Sequence, residues 1–133
     1  MTIENELSRY FKAIEANEKS MFITTQEEYS FDAFQNLLRQ SPEYILIILE
    51  EIKKVHDEAL LTLKNEAVDK VSFKSMVHKV KGGAQILSAA RFIQACNTLQ
   101  REGNLNEQVT ALIQLLEEQN QIISRYQAQY LKS

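Results

Sequence analysis

The segment Phe73-Lys74-Ser75-Met76-Val77-His78-Lys79-Val80-Lys81-Gly82-Gly83-Ala84-Gln85-Ile86-Leu87 gathers the side chains best suited to chemistry in this 133-residue chain. On a helix of 3.6 residues per turn, Phe73, Met76, Val77, Val80, Ala84 and Leu87 share an apolar face. Lys74, Ser75, His78, Lys81, Gly82 and Gln85 fall on the opposite face. The spacing therefore predicts a solvent-facing His78, with Lys81 one turn along and Gly82 directly above it. A neutral imidazole is a nucleophile near physiological pH, because free imidazole has a pKa of about 6.5. A phosphoryl group placed on such a ring adds anionic oxygens, and an ammonium at i+3 offsets their charge. Gly82 removes the side chain at i+4, so loops of another protein could reach the ring. Two adjacent helix-interior glycines cost roughly 1 kcal/mol each relative to alanine, and close approach of a partner is a physical reason to accept that. Gln85, at i+7, could hydrogen-bond near the same group.

The other reactive side chains have poorer settings. His56 lies beside Ile52, Val55 and Leu60 and next to Asp57 and Glu58, with no lysine at i+3 and no glycine at i+4. It reads as a helix-flank residue. Cys96 falls on the apolar stripe of its helix and reads as a small buried filler. A single cysteine excludes an internal disulfide and a zinc finger or ribbon. No Glu precedes either histidine by three residues, so the ligand pairs of di-metal bundles are missing. No Gly-rich phosphate loop and no Gly-x-Ser-x-Gly elbow occurs, which argues against nucleotide-using and hydrolytic enzymes.

The charge pattern singles out the same region. Net charge is −3, yet residues 70–101 contain no Asp or Glu and carry six basic residues. These are Lys70, Lys74, Lys79, Lys81, Arg91 and Arg101. Such an island in an acidic chain predicts a local surface for an anionic partner. Nucleic acid fits less well, because the pI is near 5.5 and aromatic residues do not interleave with the basic ones.

These residues need helices to position them. Hydrophobic residues make up 44% of the chain, and three Gly and one Pro leave room for long helices. Residues 2 to 18 predict a helix with Ile3, Leu7, Tyr10, Phe11 and Ile14 on one face, and 19 to 29 a connector. Ser30 could cap a short helix carrying Phe31, Phe34, Leu37 and Leu38. Ser41-Pro42-Glu43 is a strong start signal, with a cap, a first-turn proline and a first-turn acid. The helix that follows should bury Ile45, Ile48, Leu49, Ile52, Val55, Ala59, Leu60 and Leu63 and end near Glu66. Asp69 should cap the His78 helix through Leu87. Ser88 should cap a helix with Phe92, Ile93, Cys96 and Leu99 inward and Gly103 as its stop. Asn104 and Glu107 resemble a capping box opening a last helix, with Val109, Leu112, Ile113, Leu116, Ile122, Ile123 and Tyr126 inward. No segment has a period of two. The expected fold is all-α, an antiparallel four-helix bundle with one or two additional N-terminal helices.

His78-Lys79-Val80-Lys81-Gly82-Gly83-Ala84, followed by Leu87, resembles the His-x-x-Lys-Gly motif of histidine-containing phosphotransfer (HPt) domains. The resemblance extends over about residues 30 to 130 and is nearest to the C-terminal HPt modules of bacterial hybrid sensor histidine kinases. It divides the chain into 1–29, an N-terminal helix and linker that could join an upstream receiver domain, and 30–133, the HPt bundle. It implies that His78 is the phosphoacceptor and Lys81 its electrostatic partner, with Lys74, Ser75, Lys79, Gly82, Gln85 and Arg91 around the docking face. Many members have a glycine where this chain has Ser88, which puts the turn after the motif helix in question. The implied function is that of a phosphorelay intermediate in two-component signalling. His78 would take a phosphoryl group from a receiver-domain aspartate and pass it to the aspartate of a response regulator. Such a protein is a phosphocarrier without kinase activity of its own. It carries no cofactor, the Mg²⁺ belonging to the receiver's acidic pocket.

Two rival classes have weaker support. A sensor-kinase dimerisation domain usually follows its histidine with an acid and carries a proline downstream, whereas Lys79 follows His78 and no proline follows Pro42. A non-catalytic helical interaction module docking an acidic partner accounts for the basic island but not for the His-x-x-Lys-Gly spacing. The longest apolar run, Tyr44 to Leu49, is far short of the roughly 18 residues a membrane span needs. Met1 to Glu6 lack the features of a signal peptide. The expectation is a cytoplasmic monomer with no direct membrane contact, alone or as the cytoplasmic end of an inner-membrane kinase.

Overall fold

The computed structural model describes residues 28–34 and 42–131. A 3-10 turn, Asp32–Phe34, precedes four α-helices: α1 (Pro42–Asn65), α2 (Lys70–Ile86), α3 (Ala90–Leu99) and α4 (Leu105–Leu131). No strand occurs among the described residues. The fold is an all-α helical bundle. The helix expected over 2–18 lies outside the described residues, as do Leu37, Leu38 and the Ser41 cap. No helix among the described residues is long and apolar enough to cross a membrane.

The apolar stripes dictate the packing. Ile45, Leu49, Ile52, His56, Ala59 and Leu63 form the buried face of α1 at spacings of three and four. Leu112, Leu115, Leu116, Ile122 and Ile123 supply the matching face of α4. Polar pairs beside this seam fix its direction. Gln127 Nε2 donates to Glu50 at 2.8 Å, Lys53 to Ser124 at 3.1 Å, Asn120 Nδ2 to Asp57 at 2.9 Å, and Lys64 to Glu117 at 3.1 Å. Partner numbers fall along α4 as they rise along α1, so the two helices are antiparallel. Phe73, Val77, Val80 and Ala84 of α2 meet Phe92, Ala95, Cys96 and Leu99 of α3 in the same core. Leu49, Phe92, Leu99, Leu112 and Leu116 are fully buried. Truncating any of these leucines to alanine costs roughly 2–5 kcal/mol.

Three local expectations fail for identifiable reasons. Ser88 does not cap α3; the cap position is Ala89, with no side-chain bond. Ser88 instead closes α2 with φ 52°, and the Ser88 and Ala89 amides donate to Gln85 and Ala84 carbonyls at 3.1 and 3.0 Å. This is a Schellman ending, whose left-handed position favours glycine. Gly103 does not stop α3 either. The helix closes at Gln100, where the Gln100 and Arg101 amides meet the Cys96, Asn97 and Thr98 carbonyls, and Gln108 Nε2 donates to Leu99 and to Arg101 just beyond it at 3.3 and 3.0 Å. Ser30, expected to cap a helix, reaches across to the Ser88 carbonyl at 3.5 Å, while Phe31 takes φ 54°. Elsewhere the caps agree with the sequence. Asp69 accepts from the Ser72 amide at 2.7 Å, and Asn104 Oδ1 from the Glu107 amide at 3.0 Å.

Candidate functional site: the outer face of α2

Burying Phe73, Val77, Val80 and Ala84 turns the opposite face of α2 to solvent. His78 lies there, exposed, with Lys74, Ser75, Lys79 and Gln85 also exposed and Lys81 and Gly82 partly covered. The spacing thus brings His78, Lys81, Gly82 and Gln85 onto one stripe. A β-carbon placed on Gly82 would meet nothing within 4 Å, so the space above the imidazole is open. Gly83 has a different role. Its β-carbon would lie 3.2 Å from Ile52 Cγ2, so this glycine lets α1 approach α2 closely.

The lysines of the island divide into two groups. Lys74 donates to Glu102 at 2.9 Å, and Lys70 lies 3.6 Å from the same carboxylate. The Lys74 hydrogen bond and the two ammonium charges hold the Glu102 carboxyl below its usual range. Glu102 immediately follows the acid-free stretch, so folding neutralises part of a charge that looked unopposed in sequence. Lys79 and Lys81 have no ion-pair partner among the described residues. Lys81 leans on the α2–α3 seam, close enough for its charge to act on the Cys96 thiol, although burial still pushes that thiol up to about 12. Arg91 belongs to the first turn of α3, half-buried, beyond the Ser88 turn from Gln85. It is on a separate helix from the other five docking residues.

A trough of about 460 Å³ runs between α1 and α2 beside this face. Val55, Ala59 and Met76 line its floor, and Ser75 and Lys79 belong both to its wall and to the surroundings of His78. Val71, at its mouth, is 80% exposed. The sequence reading missed this trough, because it arises from two helices and neither pattern alone shows it.

His56 overturns its expected place on a helix flank. It is fully buried, with Phe92 edge-on at 5.5 Å. Asn120 Oδ1 pairs with His56 Nδ1 at 2.9 Å, while the Asn120 amide nitrogen donates to Asp57. That pattern requires the proton on Nδ1 and leaves Nε2 as a buried acceptor without a hydrogen-bond partner. Desolvation lowers the His56 pKa to about 4, against the opposing effects of Asn120 and Asp57. It is a neutral strut between α1 and α4, closed to outside reactants. The spacing Ile52, His56, Ala59, Leu63 already carried this information.

Among the described residues, no three His, Cys, Asp or Glu side chains converge as a metal site would require. No family model, curated protein or solved structure matches this chain.

Proposed function

We propose that this chain is a phosphocarrier of the HPt type, in which His78 accepts a phosphoryl group from a receiver-domain aspartate and passes it to the aspartate of a response regulator. One observation carries the proposal: the exposed imidazole has an unpaired lysine one turn along and open space over Gly82. A ring nitrogen of His78 attacks the phosphorus in line, the new N–P bond forms, and the aspartyl oxygen leaves with its electron pair as carboxylate. Lys81 offsets the charge gathering on the phosphoryl oxygens. The reverse sequence delivers the group to the next carboxylate. The Mg²⁺ that such a donor needs is held by the receiver's acids, which face Lys79 and Lys81 when docked. Proton and metal chemistry reside in the partner, so the chain acts as a carrier with no turnover of its own. His56, closed inside the bundle, offers no competing acceptor.

The test is intact mass at neutral pH after mixing the chain with a panel of phosphorylated receiver domains. The expected result is one added phosphoryl group, lost on brief acid treatment and absent from His78→Gln, whose melting curve stays that of the native chain. No transfer from any receiver, with the helical fold intact, would overturn the proposal and favour a helical interaction module.

A further inference from the structure

The described residues contain two non-glycine residues in left-handed backbone conformation, Phe31 at φ 54° and Ser88 at φ 52°. They meet at one junction. The Phe31 amide donates to the Leu87 carbonyl at 3.2 Å, and Ser30 Oγ donates to the Ser88 carbonyl at 3.5 Å. The left-handed region is unfavourable for any residue with a β-carbon, so backbone strain is concentrated where residues 28–34 touch the α2–α3 turn.

The same segment is tied on its other side to α4. Tyr29 Oη donates to Gln119 Oε1 at 2.8 Å, and its ring stacks on Tyr126 with centroids 5.0 Å apart. Its amide donates to the Tyr126 hydroxyl at 3.3 Å. Tyr29 and Phe31 are both buried. The segment therefore spans two parts of the bundle, because α1 packs chiefly on α4 and α2 chiefly on α3.

We infer that residues 28–34 are a strained clasp, whose closed state pins the α2–α3 turn to α4 and whose open state frees that turn. Burial of two aromatic rings and the Tyr29–Gln119 hydrogen bond favour closure; relief of the left-handed Phe31 favours opening. Opposed local terms of this kind give a two-state element rather than a uniformly stiff joint. The clasp grips α2 at its C-terminal end, so its state sets how the His78-bearing helix is presented. The inference is independent of phosphotransfer chemistry, and its test does not use a receiver domain.

Amide hydrogen exchange of the full chain, with Tyr29→Phe and Ser88→Gly beside the native protein, decides it. Tyr29→Phe removes the hydroxyl that closes the clasp. Exchange should quicken about tenfold at Phe31, Leu87, Ser88 and Ala89, with 50–57 and 120–127 unchanged. Ser88→Gly relieves the α2 ending whether the clasp is closed or open, so it should slow exchange at Ser88 and Ala89, whose amides close that ending, and leave Phe31 at its native rate. Uniform quickening through the bundle in Tyr29→Phe, no change at the turn, or faster turn exchange in Ser88→Gly would each overturn the clasp.

Discussion

Acid should destabilise this bundle well before its carboxylates titrate, because of His56. The unfolded imidazole has a pKa near 6.5, and the folded one lies at about 4 because burial excludes its charged form. A lowered folded pKa means that the unfolded chain binds the proton first. The contribution of His56 is therefore complete above pH 6.5 and is lost as pH falls from 6.5 towards 4. With these two values the loss is about 2 kcal/mol at pH 5 and about 3 kcal/mol when complete. The groups facing the ring are Asn120 of α4, Phe92 of α3 and Asp57 of its own helix. Asp69 and Glu102 have folded pKa values below normal, so their contributions fade only at more acidic pH. The range from pH 7.5 to 5 thus isolates the histidine. Urea unfolding followed by helical circular dichroism at both pH values, for the native chain and His56→Leu, measures it. The variant starts less stable, since Asn120 Oδ1 loses its partner, but its stability should hardly change between the two values. A loss in His56→Leu equal to that of the native chain would refute the buried neutral strut.

Three further outcomes follow from the geometry. Lys81→Ala should slow phosphoryl transfer to His78 by about tenfold without abolishing it, read as the rate of mass gain; an unchanged rate would remove Lys81 from the mechanism. Gly82→Ala should raise stability by about 1 kcal/mol in urea unfolding, since its β-carbon meets nothing, and should slow transfer from a docked receiver. Gly83→Ala should gain less or lose stability, because its β-carbon crowds Ile52 at 3.2 Å. Ser88→Gly should stabilise by about 0.5–1 kcal/mol in the same assay by relieving φ 52°.

The parts legible in sequence are those governed by local periodicity and caps. The α1, α2 and α4 cores, the Asp69 and Asn104 caps and the outward direction of His78 all follow from spacings of three, four and seven. The parts not legible depend on which helix end meets which. Glu102 is one residue beyond the acid-free stretch, and only the turn back of α3 sets it against Lys70 and Lys74. Gln108 closes α3 from another helix, so Gly103 was a sound local signal that tertiary contact overrode. The Ser88 turn keeps a glycine-type ending without glycine, at an energetic cost invisible to composition. His56 differs in kind, because its stripe with Ile52, Ala59 and Leu63 was readable, while the adjacent acids Asp57 and Glu58 belong to the solvated flank beside it.

The two histidines belong on neighbouring helices with opposite fates, and the contrast locates any chemistry. A nucleophile must meet its electrophile, and a ring sealed between Phe92 and Asn120 cannot do so without local unfolding. His56 moreover spends its Nδ1 proton on Asn120 and leaves Nε2 buried without a hydrogen-bond partner, an arrangement suited to fixing the register of α1 against α4. His78 makes no such bond among the described residues, and one turn along lie Lys81, with no ion-pair partner among the described residues, and Gly82, where an added β-carbon would meet nothing within 4 Å. A residue kept free of structural duties while its surroundings supply positive charge and clearance is arranged for a visitor. That asymmetry, more than the length of the motif, is why α2 rather than α1 is the helix on which a phosphoryl group should be sought.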